Sequence, residues 1–198
     1  MLPSFPRSAA AFCLTLGLLS AKAEVAENFE SSPAVTVEGN SHEETRCEVS
    51  EEPGKADNHV LKLSWNAHSG THVAGSLTAP GAVLFQDTGQ YEITARVNLE
   101  QCPLEAANVA IRVVDAGNET FQYSTPIEKH GEPGWTELKW VVNTDQPVSG
   151  TVKSWGDRVD EVMDFPVKFF GFAVDLKDWK TNGGTILFDD ISVKKVSE

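Results

Sequence analysis

The sequence predicts an all-β domain, two antiparallel sheets packed as a jelly-roll sandwich, for this chain of 198 residues. Three observations lead there. Several short runs alternate apolar and polar residues with the period of two that half-buried strands require. Turn residues (Pro53-Gly54, Pro80-Gly81, Ala116-Gly117-Asn118 and Asn182-Gly183-Gly184) separate those runs. No stretch of a dozen residues carries the apolar stripe of an amphipathic helix. Many short strands with turn signals in one domain of this size make a sandwich or jelly roll.

The elements follow in order. Val60 to Trp65 alternates, with Leu61, Leu63 and Trp65 sharing one phase. Tyr91 to Asn98 alternates throughout and leaves Glu92, Thr94, Arg96 and Asn98 on the outer face. Val109 to Val114 sets Arg112 opposite Ile111 and Val113, and Thr120 to Tyr123 is a further strand. After a Gly131 to Gly134 turn, Trp135 to Val142 puts Leu138, Trp140 and Val142 inward. Val167 to Leu176 puts Phe170, Phe172, Val174 and Leu176 on one face and Asp175 on the other. Thr185 to Val193 closes the series, and Arg158 to Met163 reads as a short helical turn within a loop.

The first 23 residues are expected outside this fold. Arg7 supplies a positive start, Ala9 to Leu19 a short apolar core, and Ala21-Lys22-Ala23 a small-x-small cleavage pattern, as in a secretory leader. The apolar run is too short to span a bilayer. The expectation is export, to the medium or the periplasm, after cleavage near Ala23, and a single domain over 24–198. Losing Arg7 and Lys22 takes the net charge from −13 to −15. Such acidity argues against nucleic acid and anionic lipid as partners, because both select basic surfaces.

Cys47 and Cys102 form an even pair in an oxidising compartment and are expected to join in a disulfide. Closing that loop is worth about 4 kcal/mol in the chain-entropy picture. A second pair, Asp189-Asp190, interrupts the last strand. Adjacent carboxylates are poor strand formers, so a counter-cation is expected; Ca2+ takes several carboxylate and carbonyl oxygens. Glu30, in Asn28-Phe29-Glu30 near the other end, is placed to share it if the terminal strands meet.

Enzyme motifs are missing: there is no Gly-x-Ser-x-Gly, no phosphate-binding Gly loop and no His-Glu-x-x-His. His68 and His72 have the spacing of helical metal ligands, but their surroundings read as a solvated turn leaving a strand. Acids abound without a glycosidase arrangement, so no catalytic residue is assigned. Binding chemistry is better supplied. Among five tryptophans, Trp65 and Trp140 fall in core phases and Trp135 opens a strand, where it packs an edge. Trp155 and Trp179 stand in polar, loop-like contexts and are the candidates for stacking on sugar rings. Arg96, Arg112 and Asp175 are the candidate polar contacts on the strands' outer phases, guanidinium forks suiting vicinal hydroxyls and carboxylates.

Asn28-Phe29-Glu30, Val60-Leu61-Lys62-Leu63, Tyr91 to Val97, Gly134-Trp135 and Leu187 to Val193 occur in an order that resembles the galactose-binding-like jelly-roll domains, especially the carbohydrate-binding modules of bacterial polysaccharide enzymes. The resemblance implies a structural Ca2+ tying the first and last strands, with Glu30 and Asp190 as ligands and Asp57 as a looser match. It also implies a polysaccharide or oligosaccharide partner, bound on the concave sheet or at loop tips. A small sandwich glycoside hydrolase or lyase, and a cell-surface interaction domain, are the alternatives.

Overall fold

A computed structural model describes residues 24–37, 44–66, 68–69, 72–102, 106–127, 134–145, 152–176, 180–181 and 183–197. The expected leader and Trp179 lie outside the described residues. Along the chain the strands are β1 (Glu24–Glu27), β2 (Val35–Val37), β3 (Arg46–Glu52), β4 (Lys55–Trp65), β5 (His68–Ser69), β6 (His72–Leu77), β7 (Val83–Phe85) and β8 (Gln90–Asn98). They continue with β9 (Ala106–Val114), β10 (Glu119–Pro126), β11 (Trp135–Asn143), β12 (Lys153–Gly156), β13 (Val167–Leu176), β14 (Lys180–Thr181) and β15 (Gly184–Ser197). Among the described residues there is no helix, and so none long and apolar enough to cross a membrane.

One sheet has six strands in the order β11-β8-β15-β4-β3, with β1 added beside β15; the other has seven, β12-β10-β9-β13-β6-β2, with β7 beside β13. Every pairing is antiparallel. A small two-stranded sheet, β14 with β5, stands apart. The two-sheet antiparallel sandwich expected from the period-two runs is the observed fold. The first and last strands do lie side by side, Glu24 opposite Val193.

The inner faces meet in one core. Leu61, Leu63, Ile93, Val97 and Phe188 of the six-stranded sheet pack against Ile111, Val113, Phe121 and Phe172 of the other. Phe172 and Phe188 stack across the interface at 4.0 Å, and Trp140 leans on Phe172 at 6.1 Å. Each such ring taken out of water contributes roughly 1.5–3 kcal/mol. Trp65, Leu138, Trp140 and Val142 are all buried, as their phases predicted.

Three expectations are corrected. In β13 a register shift between Phe169 and Gly171 resets the alternation, so Phe169 rather than Phe170 joins Phe172, Val174 and Leu176 in the core. Residues 158–163 form no helical turn. Glu119, buried, accepts the amides of Asp160 and Glu161 (3.1 and 3.3 Å), and Asp115 accepts that of Asp164 at 3.0 Å, which holds the segment as an irregular loop.

The third concerns the cysteines: no disulfide joins Cys47 to Cys102. β3 and β8 stand three positions apart in their sheet, roughly 14 Å at the usual strand spacing. Cys102 lies just past β8, its amide bonded to the Leu99 carbonyl at 3.0 Å. A disulfide needs Cα atoms within about 7 Å. Cys47 instead points inward against Gly75 of β6, where any side chain would collide with its sulfur. Burial pushes its thiol up to about 12. Cys47 is therefore expected to resist thiol reagents at mildly alkaline pH until the protein unfolds; rapid modification of the native protein, located by peptide mapping, would contradict this placement.

Candidate functional site

The outer face of the seven-stranded sheet carries small side chains at its middle. Ala110 of β9, Ala173 of β13 and Ala74 of β6 stand opposite one another in a single row and are fully buried. Larger neighbours lie over them. One flanking row holds Lys153, Gln122 and Arg112, successive partners on β12, β10 and β9. The other holds Asn108, Asp175 and His72 on β9, β13 and β6. Arg112 crosses the alanines to join the two rows.

Its hydrogen bonds fix the whole group. Arg112 Nε donates to Gln122 Oε1 at 2.9 Å, and its terminal nitrogen donates to His72 Nε2 at 2.8 Å. An acceptor at Nε2 places the imidazole proton on Nδ1, which donates to Asp175 Oδ1 at 3.2 Å. Lys153 Nζ stands 4.0 Å from the same carboxylate oxygen. The Arg112 guanidinium lies over the Trp155 ring, 4.9 Å from its centroid. With its oxygen committed to Arg112, the buried Gln122 amide leaves Nε2 without a hydrogen-bond partner.

Local structure explains the placement of Trp155. Gly156 ends β12 where a Cβ would stand 2.6 Å from the Asn118 carbonyl, so only glycine lets β12 close onto β10. The Glu119 and Asp115 bonds to the following loop then keep that short edge strand in place. Trp155 is thus a strand residue opposite Thr120, half-buried on the outer face, rather than the loop residue its sequence context indicates.

Hydrogen bonding from His72, reinforced by the Lys153 and Arg112 charges, holds the Asp175 carboxyl below its ordinary range despite burial. A carboxylate depressed in the folded state adds stability above its unfolded value of 3.8 and loses it as pH falls through the folded value. Asp175→Asn is expected to flatten that part of the acid limb. An unchanged limb in pH-dependent denaturation would mean that the His72 contact does not act on Asp175.

Arg112, Asp175 and Trp155 therefore share one surface, and His72, Gln122 and Lys153 belong with them. The last three were not singled out as ligand contacts: cross-strand neighbours as far apart in sequence as His72 and Asp175 give no local signal. Arg96 is elsewhere, on the outer face of the opposite sheet. One of its terminal nitrogens donates to Glu52 Oε2 at 3.1 Å and Asp189 Oδ2 at 3.0 Å. Asn58 Nδ2 donates to the same two oxygens at 2.8 and 3.0 Å, and Lys55 adds a 3.0 Å ion pair to Glu52. Trp135 receives the guanidinium on its face at 4.3 Å. Burial raises the Asp189 carboxyl against the pull of Asn58 and Arg96, whereas Lys55 and Arg96 together overcome burial and lower Glu52. Arg96 supplies a counter-charge to the acidic pair.

Glu30, Asp57 and Asp190 each have other surroundings in this structure. Glu30 spends both oxygens on His59, accepting its amide at 3.0 Å and meeting Nδ1 at 3.1 Å. Asp190 turns to the outer face, 3.6 Å from Arg96 Nε. Asp57 is exposed on β4. Among the described residues no three acidic, His or Cys side chains stand together as ligands.

No protein-family model and no curated protein matches the sequence. Solved structures define the class: the fold is that of the β-sandwich carbohydrate-binding modules. In particular, the chain is similar to the family 11 carbohydrate-binding module of a cellulosomal cellulase of Clostridium thermocellum (10% identity over 89% of this chain and 96% of that one, TM-score 0.53). The family 11 module from Clostridium thermocellum in complex with a β-1,3-1,4-mixed-linked tetrasaccharide gives 12% identity, 89% and 98% coverage, and a TM-score of 0.52. An arabinose-bound α-L-arabinofuranosidase is matched at 16% identity over 86% of this chain, TM-score 0.53, but the match spans only 26% of that enzyme.

Proposed function

We propose that the chain is an exported, non-catalytic saccharide-binding module whose ligand lies on the outer face of the seven-stranded sheet. The observation that carries this reading is the apposition of Trp155 to the Arg112-His72-Asp175 chain. An aromatic edge with convergent, fixed polar groups is what a sugar requires: the ring packs its C–H face on the indole, and donors and acceptors take its hydroxyls. Because the polar groups are already tied to one another, little side-chain entropy is lost on binding. The likeness in fold to modules that include a tetrasaccharide complex supports the reading, and the leader-like start supports export.

Affinity electrophoresis through gels containing β-glucan, xylan, arabinan, agarose or polygalacturonate tests it. Retardation by at least one polysaccharide, weakened in Trp155→Ala, is expected, with no release of reducing ends. Unretarded migration in all five gels would discard the binding role, and released sugar would make the chain an enzyme.

A further inference from the structure

We infer that the outer face of the six-stranded sheet carries a second saccharide groove, separate from the first and suited to an uncharged glycan. Two cavities of about 720 and 510 Å3 adjoin on this side and share Gln101 and Thr185. Register aligns the floor beneath them. Trp135, Asn98, Leu187 and Lys62 are successive partners on β11, β8, β15 and β4. In the parallel row Gln101 accepts the Thr185 amide at 3.0 Å, and Thr185 faces Ser64, which faces Arg46. Three strand steps make the first row roughly 14 Å long, enough for a short chain of sugars rather than one ring.

The floor is built and rigid. Arg96 packs on Trp135 while Glu52 and Asp189 clamp Arg96, so the indole is fixed before any ligand arrives. Leu187, nearly buried, gives an apolar patch beside it. At the far end Trp65 backs the larger cavity from the core side. Around these stand amides and hydroxyls of Asn98, Gln101, Ser64 and Thr185. Lys62 is neutralised by Glu48 at 3.0 Å. Glu44, Glu51, Glu52 and Glu100 outnumber the cations lining the cavities, which disfavours a polyuronate. A hydroxylated, uncharged chain satisfies the apolar patch, the Trp135 indole and these polar groups together.

Indole signals in two-dimensional nitrogen–proton NMR read the two faces separately. The full-length protein is titrated with oligosaccharides from β-glucan, xylan, arabinan and agarose, and from polygalacturonate as the acidic arm. The expected result is that a neutral oligosaccharide moves the Trp65 and Trp135 signals, that the shifts persist in Trp155→Ala, and that Trp135→Ala weakens them by about tenfold or more. Asn98→Ala, which leaves the Arg96 clamp intact, is the milder variant should Trp135→Ala unfold, and the Trp65 shift is expected to weaken there too. Shifts confined to Trp155, or caused only by the acidic arm, would overturn the second groove and leave the first standing. Shifts at Trp65 and Trp135 with Trp155 still would do the reverse. No shift from any sugar overturns both.

Discussion

Arg96→Ala is expected to lower stability by about 3 kcal/mol, because it strands the buried Asp189 carboxylate and leaves Glu52 with Lys55 as its one remaining cation among the described residues. Glu52 and Asp189 side chains are 4% and 1% exposed, and both lean on one guanidinium nitrogen. Asn58 satisfies part of their hydrogen-bonding capacity and no part of their charge. The arginine itself is 32% exposed, which places the loss at the lower end for a broken buried pair. For a domain of this size that corresponds to a melting temperature lower by roughly 6–12 °C. Arg96→Lys restores the charge without the fork and without the flat contact to Trp135, so it is expected to fall between the parent and the alanine variant. Asp190→Asn is the contrast. That carboxylate is 46% exposed and 3.6 Å from Arg96 Nε, and asparagine tolerates the positive φ of 47° found there. Its effect is expected within about 0.5 kcal/mol. Urea denaturation of the three variants decides the matter: an Arg96→Ala protein as stable as its parent would mean that the cluster does not hold the sheet together.

How far the sequence was legible depends on where each signal lived. Strict alternation in Tyr91 to Asn98 and Trp135 to Val142 predicted both the strands and the sides they bury, since the pleat is a local property. The phase of β13 was not legible, because a bulge at 169–171 adds a residue that no local pattern marks. The segment Lys153 to Gly156 hid a strand behind polar residues and a glycine, as short edge strands do; with it went the reason that Trp155 stands beside Arg112. The Asp189-Asp190 pair announced a need for positive charge and did not name the source. Arg96 and Ca2+ answer that need equally well from sequence, and only the register, Asp189 opposite Arg96, favours the side chain. Likewise Arg96 and Arg112 both read as outward-facing guanidinium forks, yet they belong to different sheets and face opposite solvents. Which strands become neighbours is a global outcome, and a site assembled from five strands inherits that opacity.

Trp155→Ala and Arg112→Lys are expected to weaken sugar binding at the seven-stranded sheet in distinguishable ways. Trp155 lies half-buried on an edge strand, so its loss costs stability only modestly while removing the stacking platform. Binding should weaken by about 30-fold, the scale of an aromatic anchor, with the melting transition almost in place. Arg112 is different because three neighbours depend on its geometry. A lysine keeps the charge but has no planar fork to reach Gln122 and His72 at once while lying over the Trp155 ring. The Gln122 oxygen and His72 Nε2 then lose their donor, and the indole loses the cation that orients it. Both the affinity and the melting temperature should fall. Trp155 adds a readout that a merely structural role for Arg112 would not move: its indole NMR signal is expected to shift as the guanidinium leaves the ring face. If that signal is identical in parent and variant, Arg112 does not lie over the indole. If Trp155→Ala binds as tightly as the parent, the outer face of the seven-stranded sheet is not where the sugar sits.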